Sequence, residues 1–313
     1  MKKIPLCFLL LFVGSFTTAT PPEALQDLRW RSLGPLRGGW SLVAEGIPDE
    51  PNTFYFGGAD GGVWKTIDSG LTWTPIADQA PFSSVGALAI SPGNPGVIYA
   101  GSGQVHMRYD IMDGTGVYKT EDDGKTWISL GLSDTRHIGR ILLDARNPNV
   151  VLVAALGHVF GPNRERGVFR SEDGGHTWTH SLFVDENTGA VDLASDASAP
   201  GIVYAAMWQV RQYPWQSYFI PVEGPGSGIW KSQDGGKTWA PTSRKGLPQD
   251  DLSRIGLAVA PGTNGRRVYA SVTATKGAGL YRSDDGGDSW QWLPAVQQRW
   301  RENPDHHQRS ARR

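Results

Sequence analysis

The stretch Ser171-Glu172-Asp173-Gly174-Gly175-His176-Thr177-Trp178 decides how this chain reads, because its pattern, Ser/Thr-x-Asp-x-Gly-x-Thr/Ser-Trp, occurs five times. The other copies run over 66–73, 120–127, 232–239 and 283–290. Their aspartates, Asp68, Asp122, Asp173, Asp234 and Asp285, are spaced 54, 51, 61 and 51 residues apart. A fixed period of this length marks a repeat architecture. Each copy follows a Gly-apolar-aromatic-Lys/Arg run, such as Gly116-Val117-Tyr118-Lys119 or Gly228-Ile229-Trp230-Lys231. Branched and aromatic residues in short runs favour strands.

Each box therefore reads as a hairpin: a strand, a glycine turn, then a strand opening at Trp73, Trp127, Trp178, Trp239 or Trp290. The aspartate is placed to accept backbone N–H bonds within its own loop. The fifth-position glycine can take positive φ, and the indole brings apolar surface to lock the turn onto a neighbouring sheet. Five acids at one topological position read as folding devices rather than as catalysts. The boxes also lack the acidic series and terminal Glu of a calcium loop. No metal and no cofactor is expected.

Around the boxes the chain supplies the rest of a four-stranded unit. Strands are expected over 85–90, 97–100, 117–120 and 127–130, then over 138–143, 150–155, 168–171 and 178–183. Later units offer 190–194, 202–206 and 229–232, then 255–260, 268–272 and 280–283. Four strands per roughly 50 residues without helical periodicity predict an all-β fold, a β-propeller of which five blades are visible. A stacked solenoid fits less well, because its coils are shorter. The expected divisions are a signal peptide over 1–19, a linker or first strand over 20–33, repeats over 34–293 and a polar tail over 294–313.

The start Met1-Lys2-Lys3, an apolar run of about a dozen residues and the small Thr17-Thr18-Ala19 have the form of a secretory leader. A secreted or periplasmic protein is expected, with no transmembrane segment once the leader is cleaved. Cys7 is the chain's single cysteine and lies in that leader, so packing rather than disulfides must stabilise the fold. With 13 tryptophans it has the means. The formal charge is −1, and no basic field points to nucleic acid.

The five boxes resemble the bacterial neuraminidase repeat. The phrases Asp134-Thr135-Arg136-His137-Ile138-Gly139-Arg140, Gly157-His158-Val159-Phe160-Gly161-Pro162 and Ala205-Ala206-Met207-Trp208-Gln209 resemble exported bacterial proteins related to the sortilin N-terminal domain and to xyloglucanase-type glycoside hydrolases. This resemblance implies the fold more than any one activity. It also implies seven or more blades, so the five seen here are expected to be either a complete small propeller or, as preferred, part of a larger one with the last flank uncovered.

In such a blade, the loops joining strands two and three share a face with the connections between blades, opposite the boxes. On that face the repeats diverge. Candidate ligand residues there are His106, Arg108, Asp134, Arg136, His137, His158, Arg164, Trp208, Arg211 and Trp215. Aromatic faces beside charged forks suit a glycan or a peptide or protein ligand. The competing reading is that the loops are polar because they are solvated, and that Trp208 and Trp215 fold the longest loop back onto the rim. The arginine triad and Arg-Ile-Pro opening implied by a sialidase are not met by Gly34-Pro35-Leu36-Arg37-Gly38-Gly39. The xyloglucanase resemblance implies two aspartates, the first two residues before a Gly-Gly. Aligned on Gly61-Gly62, that position holds Ala59, with Asp60 one residue late. The second would come from a propeller half outside this sequence. A binding module is therefore expected, with an incomplete hydrolase as the alternative.

Overall fold

The computed structural model describes residues 40–108, 110–213, 215 and 222–294. The chain divides into units over 1–37 and 38–313, and all described residues lie in the second. The expected leader, the linker and, save Pro294, the polar tail fall outside the described residues.

Five four-stranded antiparallel sheets form a β-propeller. Blade 1 holds β1 (Ser41–Ile47), β2 (Glu50–Gly58), β3 (Val63–Thr66) and β4 (Thr74–Pro75). Blade 2 holds β5 (Val85–Ile90), β6 (Ile98–Ser102), β7 (Val117–Thr120) and β8 (Ile128–Ser129). Blade 3 holds β9 (Ile138–Leu143), β10 (Val151–Ala155), β11 (Gly167–Ser171) and β12 (Thr179–Leu182). Blade 4 holds β13 (Thr188–Ser195), β14 (Val203–Gln209), β15 (Gly228–Ser232) and β16 (Ala240–Pro241). Blade 5 holds β17 (Ile255–Val259), β18 (Val268–Val272), β19 (Gly279–Ser283) and β20 (Gln291–Trp292). In each sheet the strands lie in chain order, and β1, β5, β9, β13 and β17 pack side by side in succession.

The boxes fold as their chemistry dictates. In blade 3, Asp173 Oδ1 accepts from Ser171 Oγ (2.7 Å) and Thr177 N (2.9 Å), while Oδ2 accepts from Thr177 Oγ1 (2.6 Å). The same bonds recur at Asp68, Asp122, Asp234 and Asp285. They hold every box carboxyl well below the usual carboxylate range, to about 2 at Asp68 and Asp122. The turn needs two consecutive left-handed residues, for example Gly174 (φ 74°) and Gly175 (φ 95°). Each outer strand begins one residue after the tryptophan rather than at it.

In blades 2 to 5 the box indole takes part in a recurring contact with the preceding blade. The indole N–H of Trp127 donates to Ile76 O (3.0 Å), that of Trp178 to Leu130 O (2.8 Å), and that of Trp290 to Ser243 O (3.1 Å). Trp239 donates to Ser181 Oγ (3.2 Å). In return, the second strands of blades 1, 2 and 4 each send a tyrosine onto the next blade. Tyr55 donates to Asp123 Oδ1 (3.2 Å), Tyr99 to Gly174 O (3.2 Å), and Tyr204 to Gly265 O (2.7 Å) and Gly286 O (3.1 Å). The cross-strand neighbours of this row, Lys65, Arg170 and Lys231, reach Asp123, Gly235 O and Gly286 O. Burial pushes the Tyr204 phenol up to about 12.

Tyr204→Phe is expected to cost about 1–1.5 kcal/mol in a urea titration, since the buried Gly265 carbonyl loses its donor while Gly286 O keeps only Lys231. Tyr269→Phe, at the equivalent place in blade 5 but without a hydrogen bond among the described residues, should cost less than about 0.5 kcal/mol. Equal losses at the two positions would contradict the assignment of this stabilisation to the inter-blade bond.

Close approach near the axis explains two glycines. A Cβ on Gly86 would lie 2.4 Å from Ile138 O, and one on Gly139 would lie 2.4 Å from Val191 O. Both sit at register shifts of the inner strands, where the backbone bends towards the next blade.

Candidate functional site

The loop-rich face carries one compact polar constellation, between blades 2 and 3. The connection leaving blade 2 makes a 3-10 turn, Ser133–Thr135, bracketed by Leu132 (φ 57°) and Arg136 (φ 57°). Left-handed backbone at two non-glycine residues costs energy, and such strain gathers at sites that need a particular side-chain direction. The Arg136 carbonyl accepts from Gly114 N (2.7 Å). It would lie 1.9 Å from a Cβ on Gly103, so only glycine fits there.

This backbone sets two cationic candidates against one acid. Arg136 Nη1 is 3.3 Å from Asp113 Oδ2, and His137 Nε2 is 3.3 Å from Asp113 Oδ1. Arg136 and Asp113 are half exposed, whereas His137 is 0% exposed and neither ring nitrogen completes a hydrogen bond. Burial holds the imidazole down to about 4, opposed by Asp113 and by the Gln104 carbonyl and assisted by His158 and Arg136. At neutral pH the site therefore presents an exposed arginine–carboxylate pair backed by a neutral imidazole.

His158 is half buried on the adjacent blade-3 loop. Its carbonyl accepts from Asn163 Nδ2 (2.8 Å) and Arg166 Nη2 (2.9 Å). Arg166, 1% exposed, also donates to Asn187 O (2.9 Å) and so ties this loop to the next connection. Burial lowers its guanidinium to about 10 against the pull of Asp185. Arg164 pairs with Glu186 at the exposed rim (3.2 Å). Asp134 is exposed on the 3-10 turn.

The aromatic candidates separate. Trp208 lies on β14, is 5% exposed, and donates its indole N–H to Val222 O (2.8 Å), so it folds the long loop back rather than facing a ligand. Trp215 is 81% exposed and stacks on Tyr213 at 5.3 Å, with the Arg211 guanidinium 4.8 Å over the same tyrosine ring. Arg108 lies 4.2 Å over Trp40, itself 61% exposed, and pairs with Asp110 (3.4 Å). His106 is exposed, and desolvation with the nearby Arg254 charge holds it down to about 4.

The sequence reading missed Asp113 and a ladder of charges on the inner strands. Arg140 Nη1 is 3.3 Å from Glu45 Oε1. Asp192 accepts from Leu257 N (2.8 Å) and is drawn by Arg140 and by Arg254. Burial raises both carboxyls and lowers Arg254. Acid and base thus alternate on blades 1, 3, 4 and 5. The signal was present as a charged residue inside each of the runs Ser41–Ile47, Ile138–Leu143 and Thr188–Ser195.

Asp60, the residue beside the aligned Ala59, is exposed in the turn between β2 and β3, while Ala59 is 5% exposed and donates to Trp40 O (2.8 Å). Among the described residues no three His, Cys, Asp or Glu side chains gather to hold a metal ion. A cleft of about 300 Å³ opens on the box side between blades 3 and 4, but its Arg170 and Lys237 both face Glu172 (2.6 and 3.3 Å) and are neutralised there.

Fold and face together define a β-propeller with an aromatic and charged loop surface. Known proteins agree on the propeller. The chain is 26% identical over 308 residues to a xyloglucanase of Paenibacillus sp, covering 90% of this chain and 28% of the relative. It is 25% identical over 299 residues to a xyloglucanase of Acetivibrio thermocellus, covering 88% and 34%. The solved GH74 xyloglucanase from Xanthomonas campestris superposes with a TM-score of 0.58 at 18% identity, over 81% of this chain and 38% of that one, which supports the fold. No family model matches. The chain spans about a third of the length of the curated relatives it matches, and it is a propeller similar to xyloglucanases.

Proposed function

We propose that this chain is a glycan-binding β-propeller module whose loop-rich face takes a β-linked, xyloglucan-type polysaccharide. The observation that carries the reading is the pairing of exposed aromatic platforms, Trp215 on Tyr213 and Trp40 under Arg108, with the Arg136–Asp113 pair on one face of a propeller similar to xyloglucanases. Flat indole faces stack on the apolar face of a pyranose, and the charged fork bonds its hydroxyls. Export by a leader over 1–19 belongs to the same proposal. Among the described residues no helix is long and apolar enough to cross a membrane.

Binding without turnover is favoured because two-carboxylate hydrolysis needs an acid and a base across the bond. Ala59 stands where the resemblance implies the first aspartate, and the axial acids Glu45 and Asp192 are engaged by arginines and backbone. Titration calorimetry with xyloglucan oligosaccharides is expected to show binding that Arg136→Ala weakens roughly tenfold, the equivalent of about 1.4 kcal/mol. A reducing-end assay on the same samples should stay at background. Turnover lost on Asp60→Asn would move the chain to the hydrolase reading, and binding to peptides but not to any glucan would replace the ligand class.

A further inference from the structure

The second strands carry a tyrosine at one register position: Tyr55 opposite Lys65, Tyr99 opposite Lys119, Tyr204 opposite Lys231 and Tyr269 opposite Arg282. Blade 3 breaks the series. Leu152 stands there, opposite Arg170. At the junction of blades 4 and 5 the tyrosine hydroxyl bridges two carbonyls of the next blade, Gly265 O on the turn between its first two strands and Gly286 O in its box. Leucine brings neither ring nor hydroxyl to the junction of blades 3 and 4.

A cavity of about 190 Å³ lies at that place, on the box side. Leu142, Leu152, Val203 and Pro200 give it apolar walls, and Gly235 of the blade 4 box lines it as well. The carbonyls that Tyr204 binds have counterparts here. Gly235 N donates to Gly201 O (2.9 Å) as Gly286 N donates to Arg266 O (2.9 Å), so Gly235 matches Gly286 and Pro200 matches Gly265. Arg170 Nε already donates to Gly235 O (2.9 Å), but this leaves room for a hydroxyl, since Gly286 O takes both Lys231 Nζ (2.9 Å) and Tyr204. Leu152 does not fill the space itself. Its Cδ2 would lie 2.4 Å from a Cβ on Gly236, so its side chain packs against that glycine.

We propose that this cavity is a binding site for a small monocyclic phenol. The ring takes the space that tyrosine fills at the other junctions, and the hydroxyl donates to the Pro200 and Gly235 carbonyls. The size suits it, since an apolar cavity of about 150 Å³ admits benzene. Asp144 is the one charged residue in the lining, so a neutral phenol suits the site better than an aromatic acid. The chain holds no spare tyrosine for this side. Tyr109 and Tyr218 fall between β6 and β7 and between β14 and β15, connections of the opposite face, and residues 1–39 and 295–313 contain none.

The probe is p-cresol, the tyrosine side chain as a free molecule. Titrated into the full chain and followed by ligand-observed NMR, it is expected to bind with a Kd of about 0.1–1 mM. Toluene, which lacks the hydroxyl, should bind roughly fivefold more weakly. Leu152→Tyr supplies ring and hydroxyl from the chain and should abolish p-cresol binding, while the xyloglucan titration stays as in wild type because that surface is on the opposite face. Should this variant lose its cooperative melt, Ala197→Trp on the exposed turn closes the cavity instead. No p-cresol binding up to about 10 mM, toluene binding as tightly as p-cresol, or p-cresol binding unchanged in Leu152→Tyr would each overturn the proposal. N-acetyltyrosinamide binding more tightly than p-cresol would assign the site to a tyrosine presented by a protein, and the small-molecule reading would fall.

Discussion

Trp208→Ala is expected to lower unfolding free energy by about 3–5 kcal/mol, and Trp215→Ala, seven positions on, to leave it within about 0.5 kcal/mol of wild type. Trp208 packs in the core of blades 4 and 5 beside Val210, Leu247 and Leu252, and its N–H holds Val222 O at 2.8 Å. Truncation leaves both a cavity and a stranded carbonyl. Trp215 is 81% exposed and stacks on Tyr213. Its loss should act on ligand instead, weakening xyloglucan binding roughly tenfold, since one aromatic platform contributes about 1 kcal/mol beyond its buried area. Parallel urea titrations and calorimetry separate the two outcomes. A Trp215 variant that unfolds as readily as the Trp208 variant would place the long loop in the core and remove the platform from the proposed site.

The same pair shows what could be read from the sequence and what could not. Turn chemistry is local, so the five boxes, their glycines and the flanking strands were legible to within a residue or two. Strands 85–90, 117–120, 138–143 and 268–272 match the expectation at both ends. β1 was missed because its run Ser41-Leu42-Val43-Ala44-Glu45-Gly46-Ile47 alternates weakly and carries a charge. That charge has meaning only once Arg140 is brought beside it from blade 3. Burial in loops was equally invisible. Trp208 and Trp215 look alike in sequence, as do the buried His137 and the exposed His106, because loop environment is fixed by contacts distant along the chain. Arg136, His137 and His158 could be assigned to one face from the order of strands and loops, but Asp113, which faces the first two, lies 23 residues before Arg136 in a stretch without a motif.

His137 gives the second large effect, and its sign follows from the site. The folded imidazole is held down to about 4 from an ordinary 6.5, so the native state binds fewer protons than the unfolded chain between those values. The stabilisation is fully present above pH 6.5 and is lost as pH falls towards 4. At about 1.4 kcal/mol per unit, the loss is on the order of 3 kcal/mol. Asp113 at 3.3 Å and the Gln104 carbonyl oppose the shift, Arg136 and His158 reinforce it, and burial outweighs all of them. His106 acts in the same sense but is exposed, so solvent screens its share. Glu45 and Asp192 act in the opposite sense, since their raised carboxyls favour the fold at acid pH. The box aspartates enter only below about pH 4, where carboxylates start to take up protons. His137→Phe should therefore flatten the decline in melting temperature between pH 6.5 and 4.5 and leave the steeper acid limb intact. Melting curves that fall in parallel for variant and wild type would mean that His137 is not the group being charged, and that the imidazole behind Arg136 and Asp113 is open to solvent.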